Sequence, residues 1–429
     1  MSFLPPAVPP LEIVRAEGSW LETADGRRVL DAAGGAIVAN IGHGRREVAE
    51  AAARELERVT YVIPPWKTAS RDRLRDRLLS SWLPEGLTRV AFTSGGSESV
   101  DAAIRLARQH HVAGGQAERW KVVGRQVSYH GVTVGGLSVG GHDVRRRGME
   151  PWLAAVAKAP AHYCLRCPLG LQYPTCAVAC ADDLAGIIER EGPETVSAFI
   201  AEPVVGAAGG ALTPRAEYWP RIAEVCREYG VLLIADEVMT GFGRTGRNFA
   251  VEHWGVTPDI LVGGKGLAGG YAPMGGLFAT EEVVAPLTDF MFYTYGSHPA
   301  SCAAADKVLE IMEREGLVER AARLGALLAQ RLAGLAEHPH VAEVRGLGLL
   351  HGVELVADRA SLEPFPAPRA MARKVSAAAL DRGVWLYPAG SGSPRDAVLI
   401  GPPFVVTEGE IDLIVSVLTE AIDAAAAAN

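Results

Sequence analysis

Between residues 70 and 262, short apolar runs alternate with helical stretches, and this alternation constrains the fold more than any other feature of the chain. The apolar runs are 89–92, 121–123, 196–201, 231–235 and 260–262, all of strand length. The stretches between them carry helical periodicity: 97–110 places Val100, Ile104 and Ala107 on one face, and 218–229 reads as a further helix. Strands separated by helices are joined by crossovers, which yields a mainly parallel sheet covered on both faces. The pattern is different at the two ends. Residues 11–31 are short and strand-like, with Gly18 and Gly26 as turn marks, and 48–59 reads as a helix. After Pro299, helical stretches 301–315 and 317–335 lead into a mixed region of strands and helices, and the final 424–428 run is a frayed helix end or a tail. The expected fold is α/β: a large domain built on a mainly parallel sheet, and a smaller α+β domain assembled from both chain ends.

Composition narrows the function classes. The 429 residues amount to two or three domain-lengths, and 48% apolar with 21% charged residues describes a folded globular chain. We divide the chain into 1–60 (N-terminal part of the small domain), 61–310 (large domain) and 311–429 (C-terminal small domain). Asp and Glu outnumber Lys and Arg by 50 to 42, and no Lys/Arg-rich block occurs, which argues against a nucleic-acid partner. The apolar runs are too short to span a membrane. Residues 1–10 hold Pro5, Pro6, Pro9 and Pro10 and no basic stretch, unlike a signal peptide. Six cysteines are too few for a disulfide framework. A cytoplasmic enzyme is the expectation.

Three strand ends carry chemistry. Phe92-Thr93-Ser94-Gly95-Gly96-Ser97-Glu98-Ser99 lies between a strand and a helix, where glycines, hydroxyls and a helix N-terminus favour a phosphate or carboxylate. The same residues also suit a plain Gly-rich turn with a Ser N-cap, and no G-x-G-x-x-G fingerprint is present. In Val231-Leu232-Leu233-Ile234-Ala235-Asp236, five apolar residues deliver Asp236 to the C-terminal end of a buried strand, the edge at which open α/β sheets bind ligands. A carboxylate buried there needs a cationic partner or a metal; the alternative is a surface carboxylate just past the strand. The third strand, 260–262, runs into Gly263-Gly264-Lys265-Gly266, 29 residues beyond Asp236. A partly desolvated Lys has a lowered pKa and forms Schiff bases, whereas a lone Gly-Lys-Gly is ordinarily a solvated loop. A P-loop is excluded, because Gly266 stands where Ser or Thr is required. Taken together, a phosphate cradle, a buried acid and a Schiff-base Lys at successive strand ends match the needs of pyridoxal 5′-phosphate. Its phosphate needs N–H donors, its pyridine nitrogen an acid, and its aldehyde an amine.

With these residues in place, the sequence resembles the class III aminotransferases, pyridoxal-phosphate enzymes of fold type I, nearly end to end. The matching segments are 94–97, Tyr129-His130-Gly131, Ala201-Glu202-Pro203-Val204, 235–246, 258–266, 294–299 and Cys302-Ala303-Ala304-Ala305. The resemblance implies a seven-stranded sheet between helices in a large cofactor-binding domain, an amine or amino-acid donor, and a keto-acid acceptor. It implies that Lys265 carries the cofactor as a Schiff base and moves the substrate proton, and that Asp236 pairs with the pyridine nitrogen. Tyr129 and Val238 would cover the two ring faces. Gly95, Gly96 and Ser97 would hold the phosphate, Glu202 would orient the ring's surroundings, and His130 would orient neighbours. Thr294 would reach the phosphate of a neighbouring subunit, making the working unit a homodimer, or a dimer of dimers, with shared sites.

The sequence departs from that pattern in two places. Relatives that act on 2-oxoglutarate carry an Arg three residues before the C-terminal Pro-Pro and a masking Glu five residues after the Glu of Glu-Pro-Val. Here those positions hold Leu399 and Ala207. The usual carboxylate clamp is therefore missing; Arg395 is the nearest replacement, or else a solvated loop charge. Tyr61 and Trp66 read either as an aromatic pocket entrance or as core or dimer contacts. The second departure is the cluster Cys164, Cys167, Cys176 and Cys180, whose spacing is compatible with a thiolate metal site, with reduced thiols or with a local disulfide. Cys226 and Cys302 read as buried small residues. The expected reaction is transfer of an amino group from an ω-amino acid or amine to a keto acid, pyruvate ahead of 2-oxoglutarate. An amino-mutase or lyase would use the same cofactor residues. A non-catalytic sensor would be favoured by a DNA-binding segment or a lost Lys, and the sequence shows neither.

Overall fold

A computed structural model describes residues 10–289, 292–392 and 394–428. The Pro-rich stretch 1–9, read above as unlike a signal peptide, lies outside the described residues. The chain opens with three short antiparallel strands, β1 (Ile13–Glu17), β2 (Trp20–Thr23) and β3 (Arg28–Asp31). The central sheet follows: β4 (Leu87–Thr93), β5 (Lys121–Arg125), β6 (Lys158–Ala159), β7 (Val196–Ala201), β8 (Leu232–Asp236), β9 (Ile260–Gly263) and β10 (Gly275–Thr280). Its order is β4-β10-β9-β8-β7-β5-β6, which is the seven-stranded sheet expected. The pairings from β9 through β8, β7 and β5 to β6 are parallel. β10 runs antiparallel to both β9 and β4, so β4 points the same way as the parallel strands. The C-terminal ends of β4, β5, β7, β8 and β9 therefore share one edge of the sheet.

The local sequence explains these elements. β7 (Val-Ser-Ala-Phe-Ile-Ala) is buried at every position, as befits a central parallel strand with both faces covered. The helices Gly96–Ala113, Ala179–Glu191 and Tyr218–Tyr229 supply the covering layers, burying Val100, Leu106, Leu184, Ile188, Ile222 and Val225. Gly124 in β5 lets the chain pass flush against Val139; a Cβ there would stand 2.0 Å from the Val139 carbonyl oxygen.

The smaller part joins both chain ends. Strands β11 (Val341–Leu347), β12 (Leu350–Leu355), β14 (Tyr387–Ala389) and β15 (Ala397–Ile400) form one sheet, while β13 (Val384–Trp385) pairs in parallel with β3 at the other end of the chain. The helix Glu408–Ala427 packs Ile411, Ile414, Leu418 and Ile422 inward, and a Thr407–Glu410 capping box fixes its start. The alanine run at 424–428 continues this helix to Ala427. No helix among the described residues is long and apolar enough to cross a membrane.

Candidate active site

Asp236 is the last residue of β8, and the apolar residues before it carry its carboxylate inside the protein, 3% exposed. The surface alternative does not hold. Its Oδ1 accepts the Val238 N–H at 3.0 Å, and its Oδ2 lies 2.7 Å from Nδ1 of the buried His130. A carboxylate acceptor places the proton on Nδ1, which leaves Nε2 of His130 an acceptor; that atom is buried and has no partner. Glu202, just past β7, accepts the Tyr129 N–H on Oε1 and the Gly206 N–H on Oε2, each at 2.9 Å. Burial raises the pKa of Glu202. Two acids thus fix the Tyr129-His130 pair, one by its backbone and one by its ring.

Lys265 follows β9 at φ 38, in the left-handed region that a side chain rarely occupies, and begins the short helical turn Lys265–Leu267. Burial pushes its amine down to about 8, opposed by the charges of Asp236 and Glu202. The preceding Gly264 lies against the Gly-rich helix start: a Cβ on it would stand 3.6 Å from the Gly96 nitrogen and 3.3 Å from Val238 Cγ1. At Gly96 a Cβ would come within 2.8 Å of Val238 Cγ1, and at Gly131 within 2.5 Å of the Ser97 hydroxyl. At Gly95 a Cβ would meet nothing within 4 Å, so this side of the turn is open. No side chain caps the helix Gly96–Ala113, and the N–H groups of its first turn make an anion site. The sheet edge thus brings together Gly95, Gly96, Ser97, Tyr129, His130, Glu202, Asp236, Val238 and Lys265. An uncapped helix start, a buried acid, a low-pKa amine and an orphaned imidazole nitrogen fit pyridoxal phosphate.

Other predicted residues lie apart from this cluster. Thr294 is exposed in a turn, beside Tyr295, which meets Tyr61 edge-on at 6.0 Å between ring centroids. Trp66 is 63% exposed, so neither Tyr61 nor Trp66 is a core residue of the single chain. Arg395 is exposed and donates to the Phe365 carbonyl at 2.7 Å. Leu399 is wholly buried in an apolar cluster with Ile37, Leu350 and Ala397. Ala207 is buried, and its carbonyl accepts the Gly390 N–H at 2.9 Å. Cys164, Cys167, Cys176 and Cys180 are free thiols, as are the buried Cys226 and Cys302. Among the described residues no group of His, Cys, Asp and Glu is arranged to hold a metal ion.

Two arginines at or near the site escaped the sequence reading. Arg145 lies over the Tyr129 ring, its guanidinium carbon 4.7 Å from the ring centroid. Arg244, within the matching segment 235–246, is fully buried. It donates to the carbonyls of Leu349 (2.9 Å) and Pro402 (2.7 Å) and to Asn40 Oδ1 (2.6 Å), tying the large domain to both chain ends. The signal for Arg145 was its place in the run Arg145-Arg146-Arg147, soon after Tyr129-His130-Gly131. Such a run reads as solvated charge, and Arg145 is indeed exposed; only the fold shows that it lies over Tyr129.

Known proteins match both the chain and its fold. The profile of the class III aminotransferase family covers residues 4–422. The chain belongs to the class III aminotransferases. A putrescine–pyruvate aminotransferase of Pseudomonas aeruginosa is 32% identical over 422 residues, spanning 97% of this chain and 91% of that protein. The crystal structure of an (S)-enantioselective ω-transaminase from Thermomicrobium roseum superposes with a TM-score of 0.91 at 41% identity, covering 97% of this chain and 93% of that one. An amine transaminase from an uncultivated Pseudomonas species, solved in its pyridoxal-phosphate-bound form, gives 0.92 at 36% identity, covering 97% and 95%.

Proposed function

We propose that this aminotransferase, whose cofactor is pyridoxal 5′-phosphate, moves an amino group from a terminal amine or ω-amino acid to a small keto acid, with pyruvate used ahead of 2-oxoglutarate. The observation that carries the reading is the convergence of Lys265, Asp236 and the uncapped Gly96–Ala113 helix at one sheet edge. Bound there, the cofactor supplies an electron sink for the bond broken at the substrate carbon. Lys265 would hold the cofactor through its aldehyde carbon and, once the substrate amine has displaced it, its free Nζ would move the proton at the substrate carbon. Asp236 keeps a proton on the pyridine nitrogen, and His130 keeps Asp236 in place. Tyr129 and Val238 flank the ring, and Glu202 fixes the Tyr129 backbone. Gly95, Gly96 and Ser97 hold the phosphate. Thr294 adds to the phosphate site of a second subunit, so the working unit is a homodimer, or a dimer of dimers, in the cytoplasm. Its exposure in the single chain, beside Tyr61 and Tyr295, agrees with that role. In this reading 61–310 form the large cofactor-binding domain, and 1–60 with 311–429 the small one.

The acceptor preference rests on Leu399 and Ala207. A buried Arg–carboxylate pair is charge-assisted and bidentate, and Leu399 stands where the relatives' Arg binds the α-carboxylate; its loss is expected to cost a dicarboxylate more than a small keto acid. The expected result is a higher kcat/KM for pyruvate than for 2-oxoglutarate, unchanged in order by Arg395→Ala. A preference for 2-oxoglutarate that survives Arg395→Ala overturns the specificity reading.

The amine of Lys265 also sets a pH dependence. Covalent loading of the apoprotein needs the neutral amine, which is populated above the lowered pKa of about 8. Cofactor uptake, followed by absorbance, is expected to rise with pH around a midpoint near 8. A midpoint at or above about 10, the range of an ordinary Lys, contradicts it.

A further inference from the structure

Arg145 belongs to a run of three arginines that the fold separates. Arg146 turns back to the end of the helix Val134–Val139, donating to the carbonyls of Leu137, Ser138 (3.1 Å) and Gly140 (3.0 Å), and Arg147 is exposed. Arg145 goes the other way. Exposed like Arg147, it lies with its guanidinium over the Tyr129 ring, and its Nη2 lies 3.4 Å from the Tyr387 hydroxyl. Tyr387 pairs with Leu399 in the register of β14 on β15, and both belong to one apolar cluster. Arg145 thus brings a cation from the large domain to the strand neighbour of position 399, where the clamping Arg of the 2-oxoglutarate enzymes is missing. Among the described residues no carboxylate pairs with it. A guanidinium stacked on an aromatic face keeps its edge N–H groups for a planar anion.

We propose that Arg145 binds the carboxylate of the keto-acid acceptor, replacing from the opposite domain the Arg that position 399 lacks. This rests on the aminotransferase reading above. The neighbouring His142 is kept neutral down to about 4, chiefly by burial and then by Arg145, and adds no second cation. Arg395, the candidate read from sequence, donates through Nη1 to the Phe365 carbonyl.

The two half-reactions separate the roles. A carboxylate-free donor such as putrescine has nothing for Arg145 to hold, whereas pyruvate and L-alanine do. In the holoenzyme, Arg145→Ala is expected to raise the KM for pyruvate and for L-alanine by about 10- to 100-fold, the loss typical of a charge-assisted pair. The KM for putrescine should move far less. Arg145→Lys, which keeps the charge but not the fork, should recover part of the loss. Unchanged KM for pyruvate in Arg145→Ala overturns the proposal, as does an equal loss with putrescine and pyruvate, which marks a structural role. A wild-type enzyme that aminates no keto acid overturns the underlying reading as well, and is told apart because the wild type itself fails.

Discussion

Lys265→Ala is expected to bring amino transfer down to background, a loss of at least about 10³-fold, since one residue supplies both the covalent attachment and the proton movement. Lys265→Arg should fail to the same extent although it keeps a positive charge. A guanidinium stays protonated at any usable pH and offers no lone pair, whereas burial pushes the Lys265 amine down to about 8 and makes the neutral form accessible. The backbone strain at φ 38 points to the same residue: a side chain held in the left-handed region persists where the surroundings over-determine it. Here the surroundings are Gly264 pressed toward Gly96 and Val238 on one side, and Gly266 against Asn40 on the other, where a Cβ would stand 2.3 Å from Asn40 Nδ2. Borohydride reduction of the holoenzyme followed by peptide mapping reads the attachment directly. A pyridoxyl label recovered on any other lysine overturns the assignment.

The parts of this fold that were legible in sequence are those in which local pattern and burial agree. β7 is apolar but for Ser197 because it is buried on both faces, and the helix Tyr218–Tyr229 begins and ends where the periodicity places it. β10 was not legible. It opens with Gly275-Gly276, residues that give no strand signal, and its place is set by antiparallel pairing to β4 and β9. The same division runs through the site. Asp236 and Lys265 stand at strand ends, so a one-dimensional reading finds them. Arg145 does not: its position depends on how a surface run packs on Tyr129 and on the register that puts Tyr387 beside Leu399. Arg395, the nearest candidate in sequence for the missing clamp, is exposed and donates one N–H to the Phe365 carbonyl.

Asp236→Asn is expected to lower turnover by about three orders of magnitude, roughly 4 kcal/mol at the transition state, and to loosen the cofactor. The substitution is nearly isosteric, so the fold should persist. The amide oxygen can still accept the Val238 N–H that Oδ1 takes now at 3.0 Å. What changes is charge and the direction of one hydrogen bond. Against the aspartate, His130 donates from Nδ1 across 2.7 Å. An asparagine that keeps its oxygen toward Val238 presents its NH₂ to the imidazole and drives the ring to the other tautomer, with the proton on the buried Nε2 that now has no partner. A neutral amide also cannot hold a proton on the pyridine nitrogen, and without that proton the ring withdraws far less electron density from the substrate carbon. Rate loss and cofactor loss should therefore appear together, in steady-state turnover and in retention of the cofactor through dialysis. An Asp236→Asn enzyme that turns over at a near-normal rate removes Asp236 from this role. Loss of cofactor with full activity restored by excess pyridoxal phosphate would assign Asp236 to binding alone.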